Sequence, residues 1–107
     1  METHKTAFIY KKNIKIGILK ELKKNQLYTF TYNDDYSGAS ISLTMPIEKK
    51  HFEYTQLPPF FEGLLPEGIQ LEALLKKRKL DRDDLFEQLL SIGEDVVGDV
   101  TIKRNLI

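Results

Sequence analysis

The sequence predicts an α+β fold, in which a small antiparallel β-meander or partial barrel is followed by two helices and a closing strand. Three observations lead to this prediction. The first half of the chain alternates apolar and polar residues with the period-2 spacing of half-buried strands. In the second half leucines recur with helical spacing, and residues 96–103 then return to alternation. Strands followed by helices are typical of α+β domains, and residues 1–107 are expected to form one domain.

Four strands are expected in the first half. Residues 6–11 and 27–32 are rich in β-branched and aromatic side chains, and isoleucines occupy every second position of residues 14–18. Short polar turns separate these strands. Residues 40–45 alternate again until Pro46 ends the run, which predicts the fourth strand.

The first helix is expected to begin at Pro66 and Glu67. Proline suits the first turn of a helix, and an acid is favourable at the positive end of the helix dipole. The basic run KKRK, residues 76–79, lies at the negative end. The apolar stripe of this helix is Ile69, Leu71, Leu74 and Leu75.

The second helix has a hydrophobic-staple pattern at its start. Leu80 is expected at N′, Asp81 at the N-cap and Leu85 at N4. Gly93 follows as the expected C′ residue. One face of this helix is apolar and consists of Leu85, Phe86, Leu89 and Leu90.

Composition excludes several classes of function. The 16 basic residues balance the 16 acidic ones, so no net charge attracts nucleic acid or an anionic membrane. The chain has no cysteine, which excludes disulfides and cysteine-based zinc sites. It also has no signal-peptide pattern and no apolar run long enough to span a membrane. We therefore expect a cytoplasmic protein that binds neither membranes nor, directly, nucleic acid.

Candidate catalytic and metal-binding residues are few. His4 and His51 lie far apart in the chain, and His51 between Glu48 and Glu53 is interpreted as a surface histidine rather than a zinc ligand. Phosphate-binding and hydrolase motifs are missing. An enzyme using the acids at residues 94–95 is the remaining alternative, but neighbours on a strand point to opposite faces. We expect no enzyme activity, no cofactor and no metal.

Two further features are explained by structure rather than by ligand binding. Gly93 and Gly98 enclose acids that would repel phosphate, so they are interpreted as a helix end and a strand bend. The run KKRK has no interleaved aromatic residues to stack on bases. Cations at a helix C-terminus therefore explain it better than nucleic-acid binding.

The segment FFEGLLPEG, residues 60–68, concentrates apolar residues at a bend. Gly63, Pro66 and Gly68 favour a turn, and each large apolar side chain beside them is first of all a core candidate. Such a bend nevertheless turns some side chains outward, and an exposed apolar cluster usually marks a partner site. We interpret the segment as both: one side belongs to the core, and the other is a recognition ridge.

Several motifs occur in a fixed order along the chain. They are GIL at 17–19, FTY at 30–32, SLTMP at 42–46, LPPFFEGLLPEG at 57–68, and DLF at 84–86 leading to IGEDVVG at 92–98. In these motifs the sequence resembles the N-terminal subdomain of HipA-type serine/threonine kinase toxins, and in particular the separate HipS-like proteins of tripartite HipBST systems. The resemblance covers residues 8–102, and LPPFFEGLLPEG is its most specific part.

The resemblance implies a non-catalytic antitoxin that binds and neutralises a HipT-like serine/threonine kinase, with a HipB-like DNA-binding protein joining through the complex. The alternative is a scaffold subunit of a HipB–HipT complex that leaves kinase activity unchanged. Ile69 stands where an aromatic residue is common in the family, and the chain has no tryptophan. The candidate kinase contacts are Phe60, Phe61, Leu64, Leu65, Glu67 and Ile69.

Overall fold

The computed structural model describes residues 5–93 and 99–104. It confirms the α+β class: one antiparallel sheet in the order β4-β3-β2-β1-β5, with helices in the C-terminal half. The sheet is open, with β4 and β5 at its edges, so it does not close into a barrel. The strands are β1 Lys5–Lys11, β2 Ile14–Lys23, β3 Leu27–Tyr32, β4 His51–Tyr54 and β5 Val100–Lys103.

The first three strands form a meander joined by tight turns. Lys12 and Asn13 both have positive φ, 51° and 68°, which is the backbone of a two-residue hairpin whose twist matches its strands. The next turn contains Asn25 at φ 57°. The strands predicted at residues 6–11 and 27–32 are confirmed, whereas β2 is longer than residues 14–18.

The fourth predicted strand is wrong. Residues 40–45 make only an isolated bridge between Ser42 and Met45, and the edge strand is β4, which pairs with β3 from Thr31↔His51 to Tyr28↔Tyr54. The alternation of apolar and polar residues in residues 40–45 does not come from a strand. This segment is a turn whose tip is exposed and whose two arms are buried. A short 3-10 helix, Ile47–Lys49, connects this turn to β4.

The described residues contain three α-helices rather than the two expected: α1 Pro59–Glu62, α2 Gly68–Arg78 and α3 Leu85–Ile92. Helix α2 begins at Gly68, after the predicted start at Pro66. The N-cap of α3 is Asp84 rather than Asp81, because the Asp84 carboxylate accepts a hydrogen bond from the Glu87 amide at 3.4 Å. Asp81 instead begins a turn, since its carbonyl accepts a hydrogen bond from the Asp84 amide at 3.1 Å.

Gly93 ends α3, as expected, but it is the C-cap rather than the C′ residue, and its φ of −53° is right-handed. Its role is close packing, since a Cβ there would lie 2.0 Å from the Ile102 carbonyl oxygen. The closing strand begins at Val100. The earlier part of the predicted strand, with Glu94, Asp95 and Gly98, lies outside the described residues.

The core lies on one face of the sheet, covered by α1 and α3. The Phe30 ring lies 4.8 Å from Tyr32 and 5.7 Å from Phe61 of α1, measured between ring centroids. Phe86 of α3 stacks on Tyr28 at 6.4 Å. All of these rings are buried: Tyr32 is 1% exposed, and Tyr28, Phe30, Phe61 and Phe86 are fully buried. Aromatic packing therefore holds α1 to the sheet.

Candidate functional site

We call residues 60–69 the apolar corner, since they join α1 to α2 through a sharp bend. Pro59 starts α1 at a position where proline is favourable, and the Gly63 amide donates to its carbonyl at 2.9 Å. Two tight turns follow, which carry the chain to Glu67 in an extended conformation. Gly68 then has φ +59°, and a Cβ added at this position would have no atom within 4 Å. Glycine is therefore favoured there because it adopts a positive φ easily, and not because a side chain would clash.

The corner has a buried inner side and an exposed outer side. Phe61 is fully buried in the core and presents no surface to a partner in this structure. Phe60 is half-buried and meets the Phe61 ring edge-on, with centroids 5.2 Å apart. Leu64 and Leu65 are also half-buried and pack against the core.

The outer side of the corner carries Glu67 and Ile69, which are both exposed. Ile69 keeps 87% of its surface accessible in the first turn of α2. Ile69 is one of three large apolar residues that the described chain leaves exposed, together with Ile14 and Leu43. A contact of any of the six candidate residues with a kinase stays a prediction.

Helix α2 is attached to the domain mainly through half-buried leucines and through its ends. None of its residues is fully buried, and Leu71, Leu74 and Leu75 are half-buried. At the C-terminus, Lys79 adopts a left-handed conformation and the Leu80 amide donates to the Leu75 carbonyl at 3.0 Å. The basic side chains of the KKRK run lie in the last turn, where they are favourable to the helix dipole.

An exposed ion pair also connects α2 to the following loop. The Arg82 guanidinium donates to the Glu72 carboxylate, with an Nη2–Oε1 distance of 2.7 Å and an Nη1–Oε2 distance of 2.6 Å. The hydrogen bond from Arg82 lowers the pKa of Glu72 below its usual value. Because both groups are solvated, this pair orients α2 more than it stabilises the fold.

A carboxyl group inside the core was missed by the sequence reasoning. Glu21 has no exposed surface, and the Tyr28 hydroxyl donates to its Oε2 at 3.0 Å, with the Asn25 Oδ1 as a second acceptor at 3.2 Å. Its Oε1 has no hydrogen-bond partner among the described residues. Burial, followed by this hydrogen bond, raises the pKa of Tyr28. The signal was present, because Glu21 is two residues after the inward-facing Leu19 of β2.

Two adjoining clefts open beside the start of α1. The first has a volume of about 230 Å³ and the second about 220 Å³, and they share Gln56, Leu57 and Glu62. Tyr28 and Leu85 belong to the apolar lining of the first cleft, whose remaining lining residues are Asn25 and Asp83. Their mixture of apolar surface and two carboxylates suits a side chain from a protein partner better than an anionic ligand.

A second acidic residue, Glu87 of α3, connects this helix to β1 and to the residue that follows β5. Its carboxylate accepts a bidentate pair of hydrogen bonds from Arg104 at 2.9 and 3.2 Å, and its Oε2 lies 3.1 Å from the Lys5 Nζ. Hydrogen bonds from Arg104 and then Lys5 lower the pKa of Glu87 to about 2. These contacts are ordinary ion pairs, and they stabilise the attachment of α3 to the rest of the domain.

The other sequence candidates for chemistry stay apart. His51 is exposed, with its Nδ1 2.7 Å from the Thr31 hydroxyl and its Nε2 3.8 Å from Glu53. Within residues 5–93 and 99–104, no three histidine or acidic side chains are grouped as metal ligands. In the same described ranges, no helix is both long and apolar enough to cross a membrane.

Comparison with known proteins gives matches over nearly the whole chain. The HipA N-terminal domain family model matches residues 7–103. A Haemophilus influenzae protein described as uncharacterized is 38% identical over 89 residues, which are 83% of this chain and 82% of that protein. A solved structure of the N-terminal domain of HipA toxin has a TM-score of 0.73 and 28% identity, and the match covers 96% of this chain and 93% of that one.

Proposed function

This chain belongs to the HipA N-terminal domain family, and from this membership we propose that it is a HipS-like, non-catalytic antitoxin. It binds and neutralises a HipT-like serine/threonine kinase toxin in a tripartite HipBST system in the cytoplasm. A HipB-like DNA-binding protein is part of the same complex through the kinase, so the chain itself needs no contact with nucleic acid. The family match and the fold match support the broader role in a HipA-related toxin–antitoxin system.

The observation that carries this proposal is the exposure of Ile69. Ile69 is 87% accessible and stands at the outer side of the apolar corner, whose other end, α1, is fixed to the sheet by the packing of Phe61 on Phe30. A hydrophobic anchor on a pre-positioned backbone loses little conformational freedom on binding. Complete burial of such a side chain contributes about 1.5–3 kcal/mol, which corresponds to roughly a tenfold to hundredfold change in affinity.

The residues around Ile69 complete a contact surface of mixed character. Leu64 and Leu65 are half-buried and supply apolar rim, and the exposed Glu67 supplies one negative charge. Phe60 contributes its accessible edge, and Phe61 supports the corner from inside the core. We propose that this surface docks near the ATP or substrate cleft of the kinase, with Glu67 facing a cationic group there.

Such docking neutralises the kinase without any catalytic step by the antitoxin. A standard protein interface covers about 800 Å² of each partner, which is enough to obstruct a substrate cleft or to hold the kinase in an inactive arrangement. On this proposal the antitoxin contributes no catalytic group, cofactor or metal. It acts by occupying the kinase surface for as long as the complex persists.

The test is binding of the purified chain to a purified HipT-like serine/threonine kinase, measured by calorimetry together with the kinase's phosphoryl-transfer rate. We expect a complex at micromolar or lower concentration, a rate that falls as the complex forms, and Ile69→Ala weakening binding at least tenfold. Ile14→Ala is the matched control, because Ile14 is 61% exposed but lies outside the corner. Its affinity should stay within threefold of the unsubstituted chain.

Each other outcome has a definite meaning. If no complex forms at micromolar concentrations, the antitoxin proposal is wrong. If the complex forms and the phosphoryl-transfer rate is unchanged at saturation, the chain is a scaffold subunit of the kinase complex instead. If Ile69→Ala binds as well as Ile14→Ala, the apolar corner is not the docking surface.

A further inference from the structure

The two adjoining clefts beside α1 carry negative charge that no cation of the described chain neutralises. Glu62 lines both clefts, and Asp83 lines the first. No basic residue is among the described residues that line them. Both side chains are exposed, and neither carboxylate forms an ion pair within the described chain. These two acceptors are therefore available to a group from outside the chain.

The cations near Asp83 bind other acids. Arg82 directly precedes Asp83, yet its guanidinium donates to the Glu72 carboxylate at 2.7 Å. The Nζ of Lys24, in the turn between β2 and β3, lies 3.9 Å from the Asp84 Oδ2. The charges around the first cleft are thus paired, whereas the two acids at its rim are not.

A third carboxyl group lies beneath the floor of the first cleft. Glu21 is paired across the sheet with Tyr28, whose ring lines the cleft. The Tyr28 hydroxyl donates to the Glu21 Oε2 at 3.0 Å and lies 3.2 Å from the Oδ1 of Asn25, another lining residue. Glu21 is fully buried, and its Oε1 has no hydrogen-bond partner within the described chain. An unused acceptor in this position favours an occupant that donates hydrogen bonds over one that accepts them.

The size and the walls of the first cleft suit one side chain. Its volume of about 230 Å³ is below the roughly 300–1,000 Å³ of sites for small-molecule ligands. Tyr28, Leu57 and Leu85 form an apolar wall that can cover methylene groups, while the charged end of a long side chain stays at the rim. Arginine fits this combination better than lysine, because a guanidinium binds a carboxylate through two parallel hydrogen bonds and stacks on aromatic rings.

The clefts and the apolar corner share one short helix. Glu62 is the last residue of α1, lies within the corner and lines both clefts. Its carbonyl accepts a hydrogen bond from the Leu65 amide at 3.1 Å, so the cleft rim is bonded directly to the corner. A standard interface of about 800 Å² per partner is roughly 30 Å across. A protein that docks on the corner therefore reaches the cleft.

We propose that the first cleft binds an arginine side chain of the kinase that docks on the apolar corner. This inference rests on the proposed function and adds the chemistry of one specific contact. The guanidinium pairs with Glu62 and Asp83 at the rim, and the methylene groups of the arginine pack on the apolar wall. Ion pairs between fully solvated groups contribute little to affinity. Partial burial in the cleft lowers the local dielectric and makes this pairing stronger.

The first experiment tests the cleft without the kinase. The probe is N-acetylarginine amide, and its control is N-acetylcitrulline amide, which has nearly the same shape and no charge. We expect the arginine probe to bind with a Kd of about 1 mM and to shift the backbone amide signals of the lining residues in NMR spectra. Equal binding of the citrulline control, or no saturable shift at roughly tenfold higher concentration, overturns the proposal.

A double substitution identifies the acids that bind the probe. Glu62→Gln combined with Asp83→Asn removes both charges and keeps the side-chain shapes, and it should abolish binding of the arginine probe. Glu48→Gln is the matched control, because Glu48 is an exposed acid that lines neither cleft. Since all three carboxylates are exposed, the thermal midpoint should stay unchanged in both variants, which separates binding from folding. A double variant that still binds the probe overturns the proposal.

The second experiment measures the affinity of the same variants for a purified HipT-like kinase. The double variant should bind at least tenfold more weakly, and its affinity should depend less on salt concentration, because an ion pair is lost. Glu48→Gln should stay within threefold of the unsubstituted chain. An affinity of the double variant within threefold of the unsubstituted chain overturns the proposal.

The two experiments separate this inference from the proposed function. If the unsubstituted chain binds no kinase, the proposed function is wrong and so is the assignment of the arginine to the kinase, while the probe still decides whether the cleft is an arginine site. If the kinase binds, Ile69→Ala weakens the complex and the double variant does not, the corner remains the docking surface and only the arginine contact is wrong.

Discussion

Substitution of Tyr28 by phenylalanine removes one hydroxyl from the core and isolates a buried carboxyl group. The Tyr28 hydroxyl lies 3.0 Å from the Glu21 Oε2, and the other Glu21 oxygen has no partner among the described residues. A buried polar group without a hydrogen-bond partner costs about 1–3 kcal/mol. Because phenylalanine retains the ring that stacks on Phe86, no large cavity accompanies the change. We expect the free energy of unfolding to fall by about 1–3 kcal/mol.

The assay is urea denaturation at neutral pH followed by tyrosine fluorescence or circular dichroism. Tyr54→Phe is a close control, since Tyr54 is paired with Tyr28 across the sheet and no hydrogen bond of its hydroxyl is found in the described chain. Its unfolding free energy should change by less than about 0.5 kcal/mol. Glu21→Leu in the Tyr28→Phe background should recover most of the loss, because both polar partners are then absent. A cost below about 0.5 kcal/mol for Tyr28→Phe would refute the reasoning.

Two further predictions concern the attachment of α3. The pKa of Glu87 is lowered from 4.5 to about 2, so its ion pairs stabilise the fold above the pH at which the unfolded carboxyl titrates. Up to about 3 kcal/mol should be lost as the pH falls from 5 to 2, and Glu87→Gln should flatten this dependence in urea titrations. Gly93→Ala should destabilise by about 1–3 kcal/mol or more, because its Cβ would lie 2.0 Å from the Ile102 carbonyl oxygen.

Matched substitutions make both results interpretable. Glu48→Gln alters an exposed acid and should leave the pH dependence unchanged. Gly63 also ends a helix with a right-handed backbone, but a Cβ there would lie 3.4 Å from the nearest oxygen. Gly63→Ala should therefore change the free energy of unfolding by less than about 0.5 kcal/mol. An unaltered acid profile in Glu87→Gln, or a Gly93→Ala variant as stable as Gly63→Ala, would contradict the corresponding argument.

Much of the sheet could be predicted from alternation, because a half-buried strand exposes every second side chain. Residues 40–45 show where that rule fails. Ile41 and Met45 are buried and Leu43 is accessible, yet a turn produces this alternation as readily as a strand does. Only the pairing partners distinguish the two cases, and the pairing of β3 with β4 depends on the whole fold.

The start of α3 had two competing signals in the sequence. Leu80 and Leu85 have the spacing of a hydrophobic staple around Asp81, while Asp84 is followed three residues later by Glu87, as in a capping box. The structure uses the second signal, since the Asp84 carboxylate accepts from the Glu87 amide. Local patterns alone do not rank such alternatives, because packing of the helix against the sheet decides its register.

The apolar corner could be located from its sequence but not divided into inner and outer residues. Phe61 and Ile69 are equally apolar, and one is fully buried while the other is 87% exposed. The difference arises from the aromatic cluster on the sheet and from the positive φ of Gly68, which together set the direction of α2. Neither the distant ring contacts nor the bend angle is encoded in the spacing of residues 60–69.

The contacts of Glu87 bring opposite ends of the described polypeptide together. Lys5 on the first strand and Arg104 just beyond the last strand both reach its carboxylate, at 3.1 and 2.9 Å. First and last strands that are tied together in this way allow a folded unit to be fused, inserted or circularly permuted with little distortion. The same architecture is therefore suited to exist either as a module within a longer polypeptide or as a separately translated subunit.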